Sequence, residues 1–157
     1  MKIFHLSMLV FLAVAISSCK KENKKPSDPN LDANSFFLMQ NNSAFIAKKM
    51  IVSGGTNEHF QISARSIPNK PYDKVFEMDI KKNLQPGEYA HNQSSTSIFG
   101  LNYFAPANSF LLNHGTIIIL SNDSMARRMK FTFEAELVNI MSSESMQITS
   151  GKCTVNY

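Results

Sequence analysis

The chain has 157 residues, of which 43% are hydrophobic and 18% are charged, with 12 Phe and no Trp. This length fits one domain, and the composition excludes a mainly disordered, collagen-like or multi-span membrane protein. The formal charge of +4 is concentrated at the start, because residues 1–30 hold five lysines and two acidic side chains. Residues 31–157 hold 11 basic and 10 acidic side chains, so we expect no nucleic-acid partner for the folded part.

The first 18 residues have the pattern of a secretory signal peptide. Met1 and Lys2 form a short positive start, and residues 3–16 are an almost unbroken apolar run of 14 residues. A membrane-spanning helix needs about 20 apolar residues. This run is shorter, so residues 1–18 are predicted to be a cleaved signal.

The signal ends in Ile16, Ser17, Ser18 and Cys19, which resembles the lipobox of bacterial lipoproteins. In that family the cysteine receives a diacylglyceryl group, the signal is cleaved before it, and the new amino terminus is acylated. The resemblance implies that Cys19 is the first mature residue and that membrane lipid is its partner. Two or three acyl chains hold a protein on a membrane almost permanently, since each buried methylene contributes about 0.8 kcal/mol. An ordinary signal peptide with an incidental cysteine is the alternative.

Residues 19–34 are predicted to be the lipidated cysteine and a flexible polar tether. Residues 20–30 contain no apolar residue apart from two prolines, so they cannot pack into a core. The start at Cys19 is similar to lipoproteins of Bacteroidetes-type bacteria, whose surface-exported members carry acidic residues soon after the cysteine. Glu22 is the only early acid here. We therefore expect a lipid-anchored outer-membrane protein that faces the periplasm, with surface exposure as the alternative.

From residue 35 onward, apolar and polar residues alternate, which is typical of half-buried strands. In residues 129–137 the odd positions are apolar and the even positions are polar. Residues 116–120 are almost continuously β-branched and apolar, which predicts a strand covered on both faces. Further strands are predicted at 36–39, 45–52, 59–65, 76–81, 99–103 and in two C-terminal segments.

Turn-forming residues separate these strands. Asn41 and Asn42 can adopt the positive φ angles of a tight hairpin. Short strands at this spacing predict an all-β domain over residues 35–157, an antiparallel β-sandwich or small β-barrel of about 8–10 strands after a cleaved lipoprotein signal peptide. Other breaks are predicted at 54–55, 68–71, 86–87, 113–115, 122–123 and 150–151, with an exposed loop at 90–97.

Five segments, taken in order, resemble a family of small uncharacterised Bacteroidetes lipoproteins with a single β domain. Members show a GTY turn, a GTVTIT strand, a GTFSFT strand and a closing ITNGKF.V.Y strand. Met129 and Lys130 stand where that pattern has a glycine, and Cys153 replaces its usual aromatic residue. The family has no established activity, so the resemblance implies fold and location only. The matching segments are 42–47, 84–89, 115–119, 131–135 and 148–157.

Candidate metal ligands and nucleophiles are few. His59, His91 and His114 are isolated in the sequence, the first on a polar strand face and the others in predicted turns, so we interpret them as solvated side chains. Cys153 shares a strand face with Val155 and is interpreted as a buried, unreactive thiol.

Catalytic motifs are missing from the sequence. It has no Gly-x-Ser-x-Gly elbow, no His-Glu-x-x-His and no phosphate-binding Gly-x-x-x-x-Gly-Lys. Glu134 and Glu136 share one polar strand face, which we interpret as a contribution to solubility. We therefore predict no catalytic residue, no cofactor, no metal site and no enzymatic activity.

One short motif resembles a modification site. Asp123, Ser124 and Met125 are similar to the Asp-Ser/Thr-aliphatic acceptor of Bacteroidetes O-glycosylation and lie in a predicted exposed turn. We predict partial glycosylation of Ser124, and an unmodified turn is the alternative.

These patterns favour a membrane-anchored cell-envelope lipoprotein whose β domain is a non-enzymatic binding or accessory module, with an envelope protein or a small apolar ligand as partner. The alternative is a lipocalin-like carrier of an apolar small molecule, because ten Phe follow the signal and a barrel of about eight strands can hold one ligand. A hydrolase with a spatially assembled site is the third hypothesis. A closed apolar cavity of about 300 Å³ or more would favour the carrier, whereas a filled core would leave the outer faces and loops.

Overall fold

The computed structural model describes residues 34–70, 73–91 and 98–157, and these contain ten β-strands and no helix. The predicted all-β fold is therefore confirmed. The predicted signal peptide, Cys19 and all of the tether except Asn34 lie outside the described residues. The strands are β1 (Ser35–Gln40), β2 (Ser43–Ile46), β3 (Lys49–Ser53), β4 (His59–Arg65), β5 (Val75–Lys81), β6 (Gly87–His91), β7 (Phe99–Ala105), β8 (Asn108–Asp123), β9 (Arg128–Val138) and β10 (Ser145–Asn156).

All ten strands belong to one antiparallel sheet that curls into a half-barrel. Its order is β2-β1-β10-β9-β8-β7-β5-β4-β3, and β6 pairs with β8. Phe36 of β1 and Phe76 of β5 lie five places apart in this order, yet their ring centroids are 6.1 Å apart. A flat sheet would separate these strands by more than 20 Å, at about 4.8 Å per strand, so the sheet must bend over its own inner face.

The two edge strands of the sheet, β2 and β3, are joined by only Ala47 and Lys48. The Ala47 N–H donates to the Phe36 carbonyl (3.0 Å), and the Lys48 N–H donates to the Arg65 carbonyl (2.8 Å). The chain therefore crosses from one edge of the sheet to the other at this point, which we term the seam. The prediction of one strand over 45–52 is wrong, because a single straight strand cannot pair with both β1 and β4.

Alternation along each strand sends apolar side chains to the concave face, as predicted. Aromatic rings fill this face and contact one another across it: the centroids of Phe45 and Phe76 are 4.8 Å apart, and those of Phe36 and Phe133 are 5.6 Å apart. Burial of each such ring contributes about 1.5–3 kcal/mol to stability. The fully buried rings are Phe36, Phe60, Phe76, Phe99, Phe131 and Phe133.

The convex face of β8 differs from the prediction. Residues 116–120 were expected to be covered on both faces, but Ile118 is 40% exposed and Leu120 is 58% exposed. Only Ile117 and Ile119, which point inward, are buried. In a single curled sheet one face packs inward and the other meets solvent, and within the described residues no second layer covers this strand.

Two predicted breaks lie inside long strands instead of between strands. Residues 113–115 lie inside the 16-residue β8, and 150–151 lie inside the 12-residue β10, where pairing continues through irregularities between Leu112 and His114 and between Ile148 and Gly151. Such bulges absorb an extra residue and increase local twist, so turn-forming residues bend these strands without ending them. The predicted break at 122–123 is different, because these are the last two residues of β8, directly before the turn to β9.

The predicted hairpin at 41–42 and the predicted loop at 90–97 have different outcomes. Asn41 and Asn42 adopt φ angles of 43° and 64° and connect β1 to β2, which confirms the predicted hairpin. Residues 90–91 of the predicted exposed loop are the end of β6, and 92–97 lie outside the described residues.

Candidate functional site

A hollow of about 560 Å³ opens at the end of the half-barrel where β1 and β4 end and β5 begins. We term it the mouth hollow. This volume lies within the range of about 300–1,000 Å³ that is usual for small-molecule sites, and barrel mouths are preferred positions for them. Its walls include Phe45, Ile46, Lys48, Ile67, Lys74 and Tyr103.

The seam explains why a hollow forms here. β2 pairs with β1 on one side only, and the chain then turns away at Lys48 to pair with β4. The free edge of β2 therefore stands apart from the segment that connects β4 to β5. Alternation in β2 places Phe45 in the core at 7% exposure and leaves Ile46 62% exposed, so one strand supplies both an apolar floor and an apolar wall.

Tyr103 of β7 supplies a polar group at the floor. Its ring packs on Phe76 with centroids 4.6 Å apart, and the residue is 6% exposed. Burial raises the pKa of the Tyr103 phenol, a hydrogen bond with the Gln40 side chain opposes this, and the Asp73 carboxylate adds to it. The phenol is therefore neutral at physiological pH and can exchange hydrogen bonds with a ligand.

Two lysines supply positive charge. The Lys48 backbone is held by its bond to Arg65, and the Lys74 carbonyl accepts a hydrogen bond from the Ser66 N–H at 3.4 Å. Lys74 has a φ of 53°, which is unfavourable for a residue with a Cβ and is often found at functional sites. Within the described part of the chain, neither ammonium group has a carboxylate within 4.0 Å.

The convex face carries smaller hollows. One of about 120 Å³ lies over β3, β4, β5 and β7, and its lining includes Asp79 and Gly100. Beside it, His59 Nδ1 lies 2.5 Å from Asp79 Oδ1, and the His59 side chain is only 19% exposed. The interpretation of His59 as a solvated side chain is therefore wrong, because a cross-strand carboxylate holds its ring.

The other two histidines lie in strands and not in the predicted turns, although His114, with a side chain that is 60% exposed, is solvated as predicted. His91 ends β6, and its ring packs edge-on against Phe99 with centroids 5.7 Å apart. His114 lies in β8, with Nε2 3.4 Å from Glu136 Oε2 on the neighbouring strand. Glu136 thus pairs across strands, while Glu134 is exposed on the same face.

Cys153 and Ser124 lie in contrasting surroundings. Cys153 is 1% exposed, as predicted, and burial raises the pKa of its thiol well above the ordinary value. Ser124 is exposed in the turn between β8 and β9, where Asp123 Oδ1 accepts hydrogen bonds from the backbone N–H groups of Met125 and Ala126. Its hydroxyl is therefore accessible, and its glycosylation stays a prediction.

Comparisons with known proteins give no relative for this chain. No protein-family model matches it, and no curated protein or solved structure matches it significantly. Residues 34–70, 73–91 and 98–157 include no helix of the length and apolar character needed to cross a membrane. Across the same residues, no three or more His, Cys, Asp or Glu side chains come together as metal ligands would.

The amino-acid sequence alone does not reveal the mouth hollow. Its walls come from residues 40–41, 43–46, 48, 66–67, 74 and 103, which are distant in the chain and include no chemical motif. The available signal was weak: the hairpin at Asn41 and Asn42 and the break at 68–71 both follow strands that run toward the same end of the sheet. Only the pairing of strands shows that the β1–β2 hairpin and the connection after β4 line the same hollow.

Proposed function

We propose that this protein is a membrane-anchored cell-envelope lipoprotein, and that its β domain is a non-enzymatic binding module whose site is the mouth hollow. The observation that carries the proposal is the open 560 Å³ space at the end of an otherwise filled half-barrel. Small-molecule sites combine apolar surface with polar groups that orient the ligand. This hollow combines four apolar residues with seven polar or charged ones. The lipobox resemblance at Cys19 supports the anchor.

The direction of the chain supports this arrangement. β1 starts at Ser35, and Asn34 Oδ1 accepts a hydrogen bond from the Asn156 N–H at 2.7 Å, next to the last residue of the chain. The anchored segment therefore enters the sheet at the end of β1 opposite Gln40, which lines the hollow. The anchor is therefore attached at the end of β1 away from the mouth, so the tether does not enter the domain through the hollow.

The carrier of an apolar small molecule is the second candidate. Its cargo could not occupy the concave face, which Phe rings fill, so it would have to lie in the mouth hollow. The volume of that hollow exceeds the roughly 300 Å³ expected of a carrier site, but the hollow is open to water and is not a closed apolar cavity, so the carrier ranks second. A binding module and a carrier thus share one site and differ in whether the ligand is released.

The experiment compares the wild type with Ala44→Trp, both purified from native envelopes. Ala44 is exposed on β2 and lines the hollow, so an indole at this position would fill the site without entering the core. We expect mass spectrometry to find small molecules that co-purify with the wild type and not with the variant. Equal recovery from both would refute the mouth hollow as the site, and a mature protein without acyl groups on Cys19 would refute the anchor.

A further inference from the structure

We infer that the mouth hollow binds a small amphipathic anion, a carboxylate attached to an apolar chain. This inference rests on the proposed function and names the chemical class of its ligand. It follows from two features of the walls, an apolar surface that is open to water and a pair of lysines beside it.

The apolar feature is the side chains of Ile46 and Ile67, which are 62% and 36% exposed. They line the same hollow as the Phe45 ring, although they come from the edge strand and from the connection between β4 and β5. A hydrocarbon chain in the hollow would remove these side chains from water, which is favourable in proportion to the area covered.

The charged feature is Lys48 and Lys74, two exposed lysines that line the hollow. The Asp73 carboxylate, which acts on Tyr103 at the floor, is a negative charge near the hollow, and the Lys70 ammonium 4.0 Å away offsets part of it. The Tyr103 phenol at the floor is neutral at physiological pH, since the ordinary pKa of a phenol is about 10 and burial raises it further. The hollow therefore offers two cations and hydrogen-bonding groups to a ligand, and it would repel a cationic head group.

The test measures binding of decanoate, 1-decanol and decylammonium to the full chain carrying Cys19→Ser, by calorimetry and below the micelle concentration. We expect decanoate to bind more tightly than decanol, and decylammonium to bind most weakly. Lys48→Gln and Lys74→Asn should each weaken decanoate binding about threefold, the usual size for a partly exposed ion pair, and leave decanol unchanged. Asn suits position 74 because it tolerates positive φ.

Matched variants control for each feature. Lys49→Gln removes the same charge one residue away, outside the hollow, and should not change decanoate binding. Ile46→Ser should weaken decanoate and decanol alike, whereas Ile51→Ser, at an exposed isoleucine of β3 outside the hollow, should weaken neither. Thermal unfolding of each variant checks that the fold is retained.

The outcomes separate this inference from the proposed function. If decanol binds as tightly as decanoate and the lysine variants have no effect, the ligand is not an anion, but the site stands. If neither compound binds, the inference is refuted, and the comparison of wild type with Ala44→Trp decides the proposed function independently.

Discussion

Gly151→Ala tests the packing of the core at one defined contact. Gly151 lies in β10 directly opposite Phe133 in β9. A Cβ added to Gly151 would lie 2.7 Å from three carbons of the Phe133 ring, closer than real Cβ atoms approach other atoms. The ring has little room to move, because its centroid is 5.6 Å from that of Phe36 and 6.1 Å from that of Phe131.

The expected magnitude follows from two opposing terms. Overpacking of a filled core costs about 1–3 kcal/mol. Replacing glycine with alanine also restricts the unfolded chain, which stabilises the fold by about 0.4–1 kcal/mol. We therefore expect Gly151→Ala to lower the free energy of unfolding by about 1–2 kcal/mol, which for a domain of this size lowers Tm by about 4–8 °C.

The assay is urea unfolding followed by circular dichroism, with Gly100→Ala as the matched control. A Cβ at Gly100, also in a strand, would have only the Asp79 Cβ within 4 Å, at 3.9 Å, so this variant should be neutral or slightly stabilised. Phe133→Leu should reduce the cost of Gly151→Ala by at least about 0.5 kcal/mol in a double-mutant cycle, since it removes the clashing ring. Equal stability of the two alanine variants, or strictly additive effects in the cycle, would refute this account.

Three further predictions concern stability and modification. Asn122 donates hydrogen bonds to the carbonyls of Lys82 (2.7 Å) and Leu84 (2.9 Å) and accepts one from the Tyr157 hydroxyl (3.0 Å). Asn122→Ala should therefore lower the free energy of unfolding, measured in urea, by about 2–3 kcal/mol. A loss below about 0.5 kcal/mol would contradict this role. Because burial raises the pKa of Cys153, the folded state keeps a proton that the unfolded state loses above about pH 8.5, so stability should fall with rising pH by up to about 1.4 kcal/mol per unit. Cys153→Ala should reduce that slope, and an unchanged slope would contradict the assignment. Intact-mass spectra from the native host should show a partly occupied glycan that Ser124→Ala removes, whereas a spectrum with only lipid and polypeptide would exclude it.

Of the two sites that short motifs predict, only Ser124 lies in the described part of the chain. The assignment of Cys19 depends on a short run of neighbouring residues, and that run lies outside the described part of the chain. Ser124 also depends on a short motif, and the structure places it in an exposed turn. No comparable motif marks the mouth hollow, because single residues of β2, β7 and two connections form it.

Turn chemistry was the least reliable signal in this sequence. Asn41 and Asn42 form the predicted hairpin, but Ser150 and Gly151 lie within a strand although Ser150 has a φ of 52°. A residue with a positive φ can lie in a turn or in a bulge, and pairing with the neighbouring strand determines which of the two forms. At Gly151 that neighbour supplies the Phe133 ring, which packs on the glycine in place of a side chain.

The amino-acid sequence by itself determined the all-β class and the faces of most strands, because alternation of apolar residues is a local property with a period of two. The tertiary structure alone decided the seam at Lys48, the pairing of His59 with Asp79 and the exposure of Ile118 and Leu120. Each of these depends on which strands become neighbours and on how far the sheet curls. Such contacts join residues that are far apart in the chain, and no local pattern records them.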